Sequence, residues 1–136
     1  MSPKTFEYRT SIDAEGALCA EERHPLDPGE EWTPEHLLLG ALSRCTLSSL
    51  RHHAKQAGLD ARGAASASGV VTKRESDGRY AFVEIQCGLD VTVEPPPADP
   101  AELIGLAERD CFIGASLTVQ VEYEWRLNGA LVHPGA

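Results

Sequence analysis

One stretch of this chain constrains its fold more than any other. From Thr33 to Gly58 the sequence carries helix signals at both ends and apolar residues between them. Thr33 suits the N-cap, and Pro34 suits the first helical position, where it has no N–H to lose and its φ is already set. Gly58, after Ala57, is the residue that most readily takes a left-handed terminator. Leu37, Leu38, Ala41, Leu42, Cys45, Leu47, Leu50 and Ala54 spread over a broad face, which predicts a central, well-buried helix. A helix of that kind in a chain of 136 residues is more easily covered with a partner than alone.

The flanks read as strands. Residues 4–12 alternate, with Phe6, Tyr8 and Thr10 on one face and Glu7 and Arg9 on the other. A turn at Asp13–Gly16 leads to a second strand over 17–24, and Pro and Gly make 25–31 a loop. Two long strands follow, 62–73 and 80–93, joined at Ser76-Asp77-Gly78, with Gly63 and Gly69 as candidate bulges. Pro95-Pro96-Pro97 ends the second. Asp99 as N-cap, Pro100 next and Glu102 in the first turn start another helix, which runs to about Cys111–Ile113 before Gly114. Alternation over 117–127 gives a last strand, and 128–136 reads as a loose tail. The order ββ-α-ββ-α-β predicts a single α+β domain over 1–136, with a mostly antiparallel sheet packed on two helices.

Composition excludes several roles. The formal charge is −9, so a phosphate backbone or an anionic membrane surface is a poor partner. No apolar run is long enough to span a bilayer, and the N-terminus lacks an apolar signal segment. The expected compartment is the reducing cytoplasm, where the four cysteines read as thiols rather than a disulfide framework. No CxxC, HExxH, nucleotide-binding glycine motif or Gly-x-Ser-x-Gly occurs, and His52 and His53 diverge by about 100° on a helix. No metal and no cofactor are expected.

The chemistry therefore rests on two thiols, Cys45 and Cys111, 66 positions apart and each on its own predicted helix. Such a pair suits a dithiol peroxidase: one sulfur attacks a peroxide and the other resolves the product. Cys45 lies too deep in its helix for the dipole to activate it, so a cation must, and an arginine fixed by a carboxylate is the natural choice. Glu35, ten positions earlier at the helix start, is a candidate for that carboxylate. Cys111 falls near its predicted helix C-terminus, where the dipole disfavours a thiolate, which suits the resolving role. The competing reading is that buried cysteines simply pack as small hydrophobes, and for Cys19 and Cys87 it is preferred.

The segment Pro34-Glu35-His36-Leu37-Leu38-Leu39-x-Ala41-Leu42-x-x-Cys45-Thr46 resembles the OsmC/Ohr family, the osmotically inducible and organic hydroperoxide resistance proteins. So does Ala107-Glu108-Arg109-Asp110-Cys111-Phe112-Ile113-Gly114-x-Ser116-Leu117, and so does the spacing between the two cysteines. The resemblance covers roughly residues 5–127. It implies an intertwined homodimer and a peroxiredoxin-like reduction of organic hydroperoxides. It also implies a sulfenic acid at Cys45, a Cys45–Cys111 disulfide, and recycling by a dithiol, often lipoyl-based. Carried over by position, Cys45 is peroxidatic, Cys111 resolving and Glu35 the arginine clamp. The activating arginine is Arg23 or Arg9, with Arg23 preferred. Ser43-Arg44 departs from the small residues usual before the cysteine, which bears on the substrate.

Leu38, Leu42, Phe112 and Ile113 are candidates to line an apolar substrate pocket, or else ordinary core. Two alternatives to the peroxidase stand: a non-catalytic small-ligand binder of the same fold, and a stress-related interaction protein whose cysteines only pack.

Overall fold

The computed structural model describes residues 3–134, which fall into two compact units, one up to His36 and one from Leu37 onward. In the first, β1 (Thr10–Ile12) and β2 (Leu18–Ala20) form an antiparallel hairpin with Ser11 opposite Cys19. Asp13 closes its turn by accepting the backbone N–H of Glu15 at 3.0 Å and of Ala17 at 2.9 Å, and Gly16 takes a φ of +90°. The strands predicted over 4–12 and 17–24 are realised as three residues each. β1 is exposed along its length, and a two-stranded ribbon is marginal in water.

Helix α1 (Pro34–Gln56) begins and ends as expected. The His36 N–H donates to Thr33 Oγ1 at 3.2 Å, and the Thr33 N–H donates back to His36 Nδ1 at 3.2 Å. At the other end Gly58 has a φ of +77°; its N–H reaches the Lys55 carbonyl at 3.0 Å and the Leu59 N–H reaches Ala54 at 2.8 Å. That is the paired terminator that only a left-handed residue allows. The breadth of the buried face is corrected. Within the chain the buried positions form one stripe, Leu42, Thr46, Ser49, Leu50 and Ala54. Leu37, Leu38, Cys45 and Leu47 are half-buried and Ala41 is exposed, because the core lies on one side of the helix only.

The second unit's sheet runs β3 (Asp60–Lys73), β4 (Tyr80–Glu94), β5 (Val121–Leu127), β6 (Ala130–Val132), in that spatial order. β3–β4 and β5–β6 are antiparallel, whereas β4–β5 is parallel. A parallel neighbour requires a crossover, supplied by α2 (Pro100–Arg109) and the single turn α3 (Phe112–Ala115). Alternation then fixes the faces. Ile85, Cys87, Leu89, Val91 and Val93 of β4, with Trp125 and Leu127 of β5, share one core with Leu42, Leu50 and Ala54 of α1 and Leu103, Ile104 and Ala107 of α2. Ser49 Oγ ties the two helices by donating to the Ala107 carbonyl at 2.8 Å.

The expected hairpin at Ser76-Asp77-Gly78 forms, with Asp77 accepting from the Arg74 guanidinium at 3.2 and 2.6 Å and Gly78 at a φ of +71°. The bulge falls not at Gly63 or Gly69 but on the partner strand at Val83, since Val70 pairs with Glu84 and Val71 with Phe82. The two glycines instead permit close approach: a Cβ at 69 would lie 2.6 Å from the Phe82 ring, and one at 63 would lie 2.7 Å from Val91 Cα.

Two expectations near the C-terminus are also corrected. β6 occupies part of what reads as a tail, and residues 135–136 of that tail lie outside the described residues. Asn128 and Gly129, with φ of 51° and 84°, make the two-residue turn before β6. The Asn128 side chain pairs with the Val93 backbone at 2.9 and 3.1 Å, substituting for a strand neighbour. The predicted helix through Cys111 breaks after Arg109. Cys111 is extended (φ −76°, ψ 108°) and caps α3 instead.

Candidate active site

The fold brings Cys45 and Cys111 together. Cys45 projects from the edge of the buried stripe of α1 and is half-buried, whereas Cys111 is fully buried. Cys111 and the backbone N–H groups of Ile113 and Phe112 are near enough to Cys45 to act on its thiol. Burial is the largest influence on Cys45 and raises its pKa. The neighbouring Cys111 adds to the rise, and the two N–H groups oppose it by favouring the thiolate. No cationic side chain is among the groups acting on Cys45 within the described residues.

Cys111 is held from two sides. The Gly114 N–H donates to its sulfur at 3.4 Å, and Thr46 Oγ1 lies 3.4 Å away. The break in the helix makes this possible, because an extended Cys111 turns its side chain onto the start of α3. Cys111 thus follows the C-cap of α2, Asp110, outside the helix and as the N-cap of α3. Thr46 is also fully buried and lies near the Cys87 thiol and the Tyr123 hydroxyl. Burial pushes Cys87 up to about 11 and raises Tyr123. Gly114 leaves room for this cluster: a Cβ there would sit 2.9 Å from the Tyr123 oxygen and 3.5 Å from the Cys111 sulfur.

The other residues singled out from sequence are placed as follows. Leu42 is core and Ile113 packs against it; Leu38 is half-buried, and the Phe112 side chain is 55% exposed. Arg44 is exposed, on the side of α1 away from the stripe. In the first unit Glu35 is exposed. Arg23 donates to the Glu21 carbonyl at 2.9 Å and lies 3.5 Å from the Glu21 carboxylate. The Arg9 backbone N–H donates to that same carboxylate at 3.0 Å. Within this unit Glu21 thus takes both the Arg23 guanidinium and the Arg9 backbone N–H. Among the described residues no cluster of His, Cys, Asp and Glu is arranged to hold a metal ion, and no helix is long and apolar enough to cross a membrane.

Thr46 and Tyr123 were not singled out by sequence reasoning. Each stands in an apolar pattern, Thr46 within the α1 stripe and Tyr123 in the β5 alternation, so each reads as filler. A polar atom at a core-facing position was the available signal.

A half-buried Cys45 on a helix and a fully buried Cys111 on a loop, set against an α+β sheet, make up the site. The chain belongs to the OsmC-like protein family, whose sequence profile matches residues 27–126. Comparison with curated proteins finds no match. Among solved structures, the chain is similar to the OsmC-like protein from Mycoplasma pneumoniae, with TM-score 0.68, 14% identity, and coverage of 93% of this chain and 99% of that one. It is also similar to an organic hydroperoxide resistance protein from Elizabethkingia anophelis, with TM-score 0.65, 18% identity, and coverage of 93% and 100%. A third is the organic hydroperoxide resistance protein OhrB of Bacillus subtilis, with TM-score 0.55, 20% identity, and coverage of 90% and 98%. At these identities the likeness is one of fold.

Proposed function

We propose that this protein is a thiol-dependent peroxidase that reduces organic hydroperoxides. The observation that carries this is the nearness of Cys45 to Cys111 across 66 positions of sequence, close enough for Cys111 to act on the Cys45 thiol. In the first step the Cys45 thiolate attacks the terminal peroxide oxygen. The O–O bond breaks, the alcohol leaves with a proton, and Cys45 becomes a sulfenic acid. The N–H groups of Phe112 and Ile113 favour the attacking thiolate. In the second step Cys111 displaces the sulfenic oxygen as water and closes a disulfide. A dithiol of the lipoyl type then reduces that disulfide by exchange, entering at the more accessible sulfur, Cys45.

Such a peroxidase needs a cation at Cys45 to offset its burial. Arg23, clamped by Glu35, is proposed for that role within a homodimer, with Arg9 as the other candidate. The apolar part of the substrate is assigned to Leu38, Leu42, Phe112 and Ile113, and the cytoplasm to the site of action. The rise in the Cys45 pKa favours one alternative, a non-catalytic binder of the same fold. Consumption of cumene hydroperoxide with dihydrolipoamide, compared between the wild type and Cys45→Ser, separates the two. Turnover lost in the variant is expected; a wild type that consumes no peroxide would favour the binder.

A further inference from the structure

Thr46 stands where a purely structural residue would be apolar. It is buried on the helix stripe between Leu42 and Leu50, yet its hydroxyl meets Cys111 Sγ at 3.4 Å. A hydroxyl has one hydrogen to give and two lone pairs to accept with. In the resting arrangement the hydrogen goes to the Leu42 carbonyl at 2.9 Å, one turn back along α1. Only acceptor capacity is left for Cys111, so the resting contact is from the Cys111 S–H to the Thr46 oxygen.

We propose that Thr46 is a positioning residue for the resolving step, accepting from the Cys111 thiol at rest and donating to its thiolate when it attacks. The inference rests on the peroxidase function proposed above. The change needs only rotation of one hydroxyl, from the Leu42 carbonyl toward the sulfur. That carbonyl stays paired, because it is also the i−4 acceptor of the Thr46 backbone N–H in α1. The balance of the step is simple. The Cys111 sulfur forms the S–S bond and is oxidised, and the sulfenic sulfur of Cys45 is reduced as its S–O bond breaks. The oxygen leaves as water, carrying its own hydrogen and the proton lost by Cys111. Thr46 transfers nothing; it holds Cys111 in line and supports its charge, together with the Gly114 N–H on the other side.

Thr46→Val keeps the shape and removes the hydroxyl, and Thr46→Ser keeps the hydroxyl and removes a methyl. The full chain is mixed with one equivalent of cumene hydroperoxide. Sulfenic acid at Cys45 is read by dimedone trapping, and disulfide closure by loss of free thiols. Thr46→Val is expected to form the sulfenic acid at nearly the wild-type rate and to close the disulfide about ten-fold more slowly or worse, the scale set by one hydrogen bond to a charged group. Thr46→Ser is expected to restore closure. Closure at the wild-type rate in Thr46→Val would overturn the proposal. So would a parallel fall in both steps that Thr46→Ser does not rescue, the mark of a purely structural role. A wild type that forms no sulfenic acid would overturn the peroxidase function and this inference together. If Thr46→Val does not fold, Thr46→Ala carries the same comparison without added bulk.

Discussion

The indole N–H of Trp125 donates to a carboxylate oxygen of Glu108 at 2.8 Å, tying β5 to α2 close before the segment that carries Cys111. Trp125 is fully buried and Glu108 half-buried, so this carboxylate sits on the rim of the core rather than in water. Burial raises the Glu108 pKa, and the Trp125 hydrogen bond opposes the rise.

The sign of the resulting pH dependence follows from linkage. A carboxyl whose pKa is higher folded than unfolded contributes stability below its unfolded pKa, and loses it as pH rises through the folded value. Glu108→Gln removes that titration while keeping a carbonyl acceptor for Trp125. The melting temperature of Glu108→Gln relative to the wild type is therefore expected to climb between about pH 4 and pH 7. Thermal unfolding across that range checks it, and a difference that stays flat would show that Glu108 is not held in a raised state.

The thiols differ in access, and their reactivity should follow. Cys87 and Cys111 are fully buried, and burial pushes Cys87 up to about 11, whereas Cys45 is half-buried. With iodoacetamide at neutral pH, Cys45 is expected to be modified in the native protein, and Cys87 only after unfolding. Peptide mapping by mass spectrometry reads this directly. Native labelling of Cys87 ahead of Cys45 would contradict the burial assigned to it.

Removal of the second thiol should split the proposed cycle. Cys111→Ser is expected to consume about one equivalent of hydroperoxide and then stop, leaving a trappable sulfenic acid at Cys45. Sustained wild-type turnover with dihydrolipoamide in this variant would assign resolution to another group.

The close approach of β3 to β4 gives a stability test remote from the site. A Cβ at Gly63 would press on the Asp90 carbonyl oxygen and the Val91 backbone, neither of which can step aside. At Gly88 the nearest atom is Ser66 Oγ at 3.5 Å, an ordinary contact. Gly63→Ala is expected to cost about 1–3 kcal/mol, the usual range for overpacking, and Gly88→Ala well under that. Urea denaturation of the two variants side by side decides it; equal stabilities would mean the strands can separate locally.

Local rules made part of this protein legible in advance. Thr33 and Pro34 start α1, Gly58 stops it, Asp77 and Gly78 turn β3 into β4, and Asp99 with Pro100 starts α2. Each is decided by backbone geometry within a few residues, so sequence is enough. Cys45 and Cys111, the thiols proposed as nucleophile and partner, were singled out by motif and spacing as well.

Tertiary structure decided the rest. The parallel pairing of β4 with β5 depends on where the α2–α3 crossover delivers the chain, which no local pattern contains. Cys111 reads as helical because its neighbours have helical spacing; it is extended because its sulfur finds Thr46 and Gly114. The meeting of Thr46, Cys87, Cys111 and Tyr123 joins α1, β4, the α2–α3 corner and β5. The Thr46 hydroxyl and the Cys111 sulfur, far apart in the chain, meet only once the core has closed around them, because a buried hydrogen-bonding group must find a partner wherever packing supplies one.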